Sequence, residues 1–193
     1  MFDKGILMKI LPIIITLILQ ACALSPQTIN ILPDLSTVDI KPVNGKRLAL
    51  NVRDSRVTRV VGYRGGIYNT AAISTQENVI IPIYTKLSHT LENQGFTVVD
   101  RGTTAAASLE VDLKKLSYIV KQQKIPWKVE VSAVISAKAT AGTKTVSSNF
   151  EDSLNKDFAK SPAPGENEKL INNVISKLLQ RILQDESIAG IIR

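Results

Sequence analysis

The chain is poor in the residues that redox and metal chemistry need. Its 193 residues include one cysteine and one histidine. A single cysteine excludes an internal disulfide, and the pair falls short of the four ligands of a Cys/His zinc site. The same scarcity argues against a Cys-His or Ser-His nucleophilic arrangement. Aromatic residues make up only 5%, with a single tryptophan. No apolar run approaches the roughly 20 residues that cross a bilayer as a helix, since the longest, Ile10 to Leu19, is half that. What is present is a composition that can build a core: 44% hydrophobic and 21% charged, unlike the charge-rich, apolar-poor make-up of a disordered chain. The charge is unbalanced, with 24 basic against 17 acidic residues and a net +7.

The N-terminus reads as an address. Lys4 and Lys9 precede the short apolar run, and Leu19-Gln20-Ala21-Cys22 closes it, the layout of a signal peptide over residues 1–21. Translation from Met8 would still leave Lys9 as the positive flank. The closing residues resemble the lipobox of bacterial lipoproteins, with Gln20 where a small residue is usual. The resemblance implies cleavage before Cys22 and lipid on its sulfur and new amino group, an anchor made permanent by several acyl chains. Ala23 rather than aspartate follows the cysteine, which by the same resemblance directs the lipoprotein to the outer membrane, its domain facing the periplasm. Removing residues 1–21 takes Lys4, Lys9 and Asp3 with it, so the remaining 172 residues keep 22 basic and 16 acidic groups and a net +6. An exported domain does not meet nucleic acid, so none is expected as a partner.

Residues 22–45 contain Pro26, Pro33, Pro42 and Gly45 and read as a lipidated tether with room for one short strand around Ile29 and Ile31. A single domain is expected over 46–193. Leu48, Leu50 and Val52 alternate with polar or small neighbours, the period of a half-buried strand. A second short strand at 58–63 leads into a glycine-bearing loop. Ile80, Ile83, Leu87 and Leu91 then follow a helical period, with Gly95 as the C-terminal cap. After a short strand at 96–99, residues 107–122 form a long one whose apolar parity switches between Leu113 and Leu116. A bulge near Lys114-Lys115 would keep both halves facing inward. Trp127 to Ala137 alternates without fault and makes a hairpin with it, and a third strand runs from Thr143 to about Leu154. Pro162, Pro164 and Gly165 precede the strongest helix, with the apolar stripe Ile171, Val174, Ile175, Leu178, Leu179, Ile182 and Leu183, and 185–192 reads as a short helical segment. The expectation is an α+β fold: an antiparallel sheet of about five strands with two amphipathic helices packed on one face.

The order of these features resembles the YajG-like family of bacterial outer-membrane lipoproteins. The resemblance is carried by the lipobox, Ser25-Pro26-Gln27-Thr28-Ile29-Asn30-Ile31, the strand ending Asn51-Val52-Arg53-Asp54-Ser55-Arg56, the helix ending Leu91-Glu92-Asn93-Gln94-Gly95-Phe96, the long hairpin and the tail Asp185-Glu186-Ser187-Ile188. It implies an address and a fold, and it brings no catalytic motif.

For chemistry the residues offer few combinations. His89 sits on the first helix beside Thr85, Lys86, Glu92 and Asn93 without a metal cluster. Gly62-Tyr63-Arg64-Gly65-Gly66 lacks the order of a phosphate-cradling loop. Asp100, Glu110, Asp112, Glu151, Asp152 and Asp157 show no spacing that demands a carboxylate pair. No cofactor, metal or catalytic residue is expected. The informative cluster is basic: Arg53, Arg56, Arg59 and Arg64 lie within twelve residues, and a planar guanidinium suits phosphates and carboxylates. Lys114, Lys115, Lys121, Lys124 and Lys128 add a second positive region along the hairpin, and an ordinary solvated surface is the simpler account of both. The leading expectation is a non-enzymatic role in binding to, or assembly with, an envelope protein. The alternative is recognition of lipopolysaccharide or a peptidoglycan fragment by the four arginines, and hydrolysis is a third reading.

Overall fold

The computed structural model describes residues 25–38, 42–122 and 124–193. The expectations about Met1, Met8, the signal peptide and Cys22 lie outside the described residues. The element order is β1 (Gln27–Ile29), β2 (Arg47–Asp54), β3 (Val60–Tyr63), β4 (Ala72–Thr75), α1 (Ile80–Asn93), β5 (Thr97–Asp100), β6 (Ala107–Gln122), β7 (Trp127–Ala141), β8 (Lys144–Phe158), α2 (Pro164–Gln184) and α3 (Glu186–Ile192).

The eight strands form one mixed sheet built around β6, which at 16 residues is long enough to serve several neighbours. On one side β6, β7 and β8 form an antiparallel meander. On the other side two strands share its edge: β2 runs parallel to Ala107–Leu113, and β3 touches it where Gly62 pairs with Tyr118. β5 lies outside β2, and β4 then β1 lie outside β3. The expected five-stranded, all-antiparallel sheet is therefore corrected, because the pairs β1–β4, β2–β5, β2–β6 and β3–β6 are parallel. Helix α1 supplies the crossover that the parallel β5 requires. β4 falls in the stretch read as a loop, where four residues carry too little periodicity to show.

The parity switch in β6 is real. Leu113 pairs with Ile135 and Lys115 with Val134, so Lys114 is the extra residue and Leu109, Val111, Leu116, Tyr118 and Val120 all reach the same core. Among the described residues three helices, rather than two, cover that face. α1 contributes Ile83, Leu87 and Leu91; α2 contributes the expected stripe; and Asp185, whose carboxylate accepts from the amides of Ser187 and Ile188, starts α3, which adds Ile188 and Ile192. Every stripe residue of α2 is at most 1% exposed, and such burial is worth roughly 1.5–3 kcal/mol per side chain.

Two glycines permit close backbone approach. A Cβ on Gly62 would lie 1.9 Å from the Tyr118 carbonyl oxygen, so only glycine lets β3 meet β6. Gly95 has φ +90° and would meet the Val43 carbonyl at 2.0 Å, where the chain from residue 42 packs beneath the end of α1.

Part of the stretch expected to be a tether is built into the fold. Ile29, Ile31 and Leu35 are core residues. The segment is held along α2 by side chains four residues apart: Glu168 accepts from Asn30 N at 2.9 Å, Asn172 from Leu32 N at 2.8 Å and Ser176 from Asp34 N at 2.8 Å. Four helical residues rise about 6 Å and two extended residues about 6.7 Å, so one polar helix row can stand in for a neighbouring strand. At its start, Tyr118 donates to buried Asn167, Asn167 to Gln27, and Gln27 to the Pro164 carbonyl, tying β6, α2 and β1 together. Burial pushes the Tyr118 phenol well above its ordinary range.

Candidate functional site

With all three helices on one face, the other face of the sheet carries the alternate residues of each strand. Register places Arg53, Asp112, Ser136 and Asn149 in one row across β2, β6, β7 and β8. The adjacent row is Asn51, Glu110, Lys138 and Ser147. Between them lies a polar groove of about 240 Å³ lined by Arg53, Glu110, Asp112, Lys114, Lys138 and Asn149, among others.

Asp112 is its centre. Its side chain is only 5% exposed, and one oxygen, Oδ2, accepts from Lys114 Nζ at 2.7 Å, Ser55 Oγ at 2.8 Å and Arg53 Nη2 at 2.9 Å. Burial works against ionisation, but the donors Lys114, Arg53 and Ser55 outweigh it and hold the carboxyl below its ordinary 3.8. The other oxygen, Oδ1, is buried without a donor. Arg53 also pairs with Glu110 at 3.2 Å, and hydrogen bonding to Asp112 raises the guanidinium pKa further. Asp112 is thus a fixed acceptor rather than a proton donor. The groove presents Arg53, Lys114 and Lys138 with serine hydroxyls and the Asn149 amide around a buried Asp112.

The four arginines expected to act together are not brought together. Arg53 is committed to Glu110 and Asp112. The Arg56 side chain is 5% exposed and forks onto Asp54 at 2.7 and 2.8 Å, with Thr75 Oγ1 at 3.0 Å. Arg64 donates to the carbonyls of Ser25 at 3.2 Å and Pro162 at 3.5 Å. Arg59 lines a separate polar groove with Thr28, Thr58 and Glu77. Of the lysines, Lys114 joins the Asp112 site and Lys121 pairs with Glu130.

Sequence reasoning missed Asp112 as a focus. Glu110 and Asp112 share a strand and a face, and their i, i+2 spacing was the available signal, but their partner Arg53 is 59 positions from Asp112. His89 faces Asn93 at 3.2 Å and borders a larger, mostly apolar groove of about 560 Å³ with Leu32, Ile81 and Pro82. Among the described residues, no group of three or more His, Cys, Asp or Glu could hold a metal ion, and no helix is long and apolar enough to cross a membrane.

Comparison with known proteins gives a family and a fold. A family model described as an uncharacterized lipoprotein matches residues 33–193. No curated protein matches the chain. Among solved structures, a protein from Xanthomonas campestris is similar at 11% identity and a TM-score of 0.50, over 86% of this chain and 95% of that one. A homolog of neuraminyllactose-binding hemagglutinin from Helicobacter pylori is similar at 14% identity and a TM-score of 0.53, over 76% and 88%. A minor lipoprotein from Acinetobacter baumannii overlaps 77% of this chain and 94% of its own at 10% identity and a TM-score of 0.41.

Proposed function

Because the chain belongs to the YajG-like family of uncharacterised lipoproteins, we propose that it is a non-enzymatic assembly protein of the bacterial envelope, held by lipid on Cys22 at the outer membrane with its domain in the periplasm. The observation that carries the reading is the outer edge of β8. This strand is 15 residues long and among the described residues pairs only with β7. The sheet's other edges differ: β1 is fastened along α2, and β5 is four residues long. Apart from the Glu151 carbonyl, which accepts from Arg181 at 2.8 Å, no main-chain bond to a side chain is seen at this edge among the described residues; such an edge accepts a partner strand through main-chain hydrogen bonds, and Lys144, Glu151, Lys156 and Asp157 supply the charges that discourage indiscriminate pairing. A photo-reactive residue placed at Asn149 or Asn155, both exposed on β8, is expected to give a discrete protein adduct in intact cells. Adducts no stronger than those from exposed Arg101, on the loop after β5, would refute the reading.

A second reading rests on the cations of the groove beside Asp112. An acidic, polyhydroxylated envelope ligand, from lipopolysaccharide or peptidoglycan, would be met by exposed Lys138 and Lys114 at its rim, with Ser147 and Asn149 beside them for its hydroxyls. The name of the Helicobacter pylori neighbour refers to neuraminyllactose, an acidic sugar; that likeness is in fold. Unchanged binding of purified envelope polymers at low ionic strength on Arg53→Ala and Lys138→Glu substitution would defeat this reading.

A further inference from the structure

One end of the sheet gathers what the rest of the surface keeps apart. β3 ends beside Tyr118, β6 turns into β7 four positions on, β8 ends at Phe158 opposite Trp127, and β1 starts beside the start of β4. These registers place Ser25, the 64–71 loop, the described part of the hairpin tip and the 159–163 segment together. Arg64 confirms the neighbourhood by bonding to both Ser25 and Pro162.

Four of the eight large exposed apolar side chains among the described residues lie at this end: Ile67 (80%), Tyr68 (72%), Ile125 (78%) and Ile119 (46%). Ile67 and Ile119 line one shallow groove. Exposed Lys124, Lys128 and Lys160 lie at the same end. Lys128 has Asp157 as its register partner, Lys121 is neutralised by Glu130, and Glu166 at the start of α2 is the further acidic group nearby. Ser25 is three positions after Cys22, a span of at most about 11 Å when fully extended. A lipid on Cys22 is therefore held within about 11 Å of Ser25, at the end of the sheet that carries Ile67 and Tyr68.

We propose that this end of the domain rests on the membrane surface, with Ile67, Tyr68 and Ile125 entering the headgroup region and Lys124, Lys128 and Lys160 meeting anionic phospholipid. The partner is a lipid surface because the tether is too short to hold the end away from it and because apolar tips sharing an end with exposed lysines match an anionic interface. The proposal rests on the lipid anchor of the preceding reading. It gives the domain a fixed orientation in which the β8 edge stands along the membrane normal rather than against the bilayer.

Trp127, the chain's single tryptophan, opens β7 at this end and is a built-in depth probe. The full lipidated protein is reconstituted in phosphatidylethanolamine/phosphatidylglycerol vesicles, with and without bromine on the upper acyl chain. Loss of Trp127 emission on the brominated lipid is expected, together with recovery in the Ile67→Asp/Ile125→Asp variant, which still floats with the vesicles and keeps its circular dichroism. Flotation without quenching, or equal quenching in the variant, overturns the proposal. A protein cross-link from position 125 without quenching assigns the end to a protein instead, and also overturns it. Failure to float at all removes the anchor, and with it both this proposal and the location on which the assembly reading depends.

Discussion

Substituting Asp112 by asparagine keeps the shape of the side chain and deletes its charge. In the native groove one oxygen collects three donors, and hydrogen bonds to a charged group contribute about 1.5–3 kcal/mol each. That figure must be discounted, because the Arg53 and Lys114 side chains are 46% and 43% exposed and recover solvent when their partner is lost. A neutral amide oxygen would also retain weaker bonds to the same donors. The net loss is then about 1–3 kcal/mol at pH 7, read by urea unfolding followed through Trp127 fluorescence. The pH dependence follows from the lowered carboxyl pKa: between the folded and unfolded values the unfolded chain binds the extra proton, so stability falls as pH drops from about 4 through the folded value. The Asp112→Asn deficit should therefore shrink on acidification from pH 5 to pH 2. A variant as stable as the parent at pH 7, or a deficit independent of pH, would refute the reasoning.

Three further outcomes follow from the packing. Gly62→Ala sets a methyl against the Tyr118 carbonyl and should cost more than about 2 kcal/mol in chemical denaturation, with faster amide exchange in β3 and β4; a neutral effect would mean that β3 can shift away. Asn172→Ala removes one rung of the helix row, so the Leu32 amide should exchange faster while core amides of β7 keep their protection, at a cost of about 1 kcal/mol. Asp185→Ala deletes the cap of α3 and should cost about 1 kcal/mol in thermal unfolding, with Asp185→Asn largely restoring it.

The elements legible in the amino-acid pattern are those with enough residues to repeat. β6 and β7 show their alternation over 15 or 16 positions, long enough for the fault at Lys114 to stand out, and α2 shows its stripe over several turns. β4, with four residues, shows nothing comparable. The resemblance-bearing runs have physical roles: Gln27 and Asn30 fasten β1 to α2, Arg53 and Ser55 hold Asp112, and Asp185 caps α3. The arginine cluster misled because proximity in sequence says nothing about counter-charges. Arg56 finds Asp54 two residues away, Arg53 finds Asp112 on another strand, and Arg64 finds backbone carbonyls from opposite ends of the chain.

The amino-acid sequence by itself determined the family, the α+β class, the hairpin with its bulge and the apolar faces of α1 and α2, because each depends on local order or short-range period. Only the tertiary structure decided that the sheet is mixed, that β6 shares one edge between β2 and β3, that Asp112 gathers the donors around a groove, and that Ser25 shares one end of the sheet with Ile67 and Tyr68. Those are pairings between distant residues. Periodicity sets which face a residue presents, whereas the partner it meets depends on which strands the whole chain can bring side by side while burying one common core.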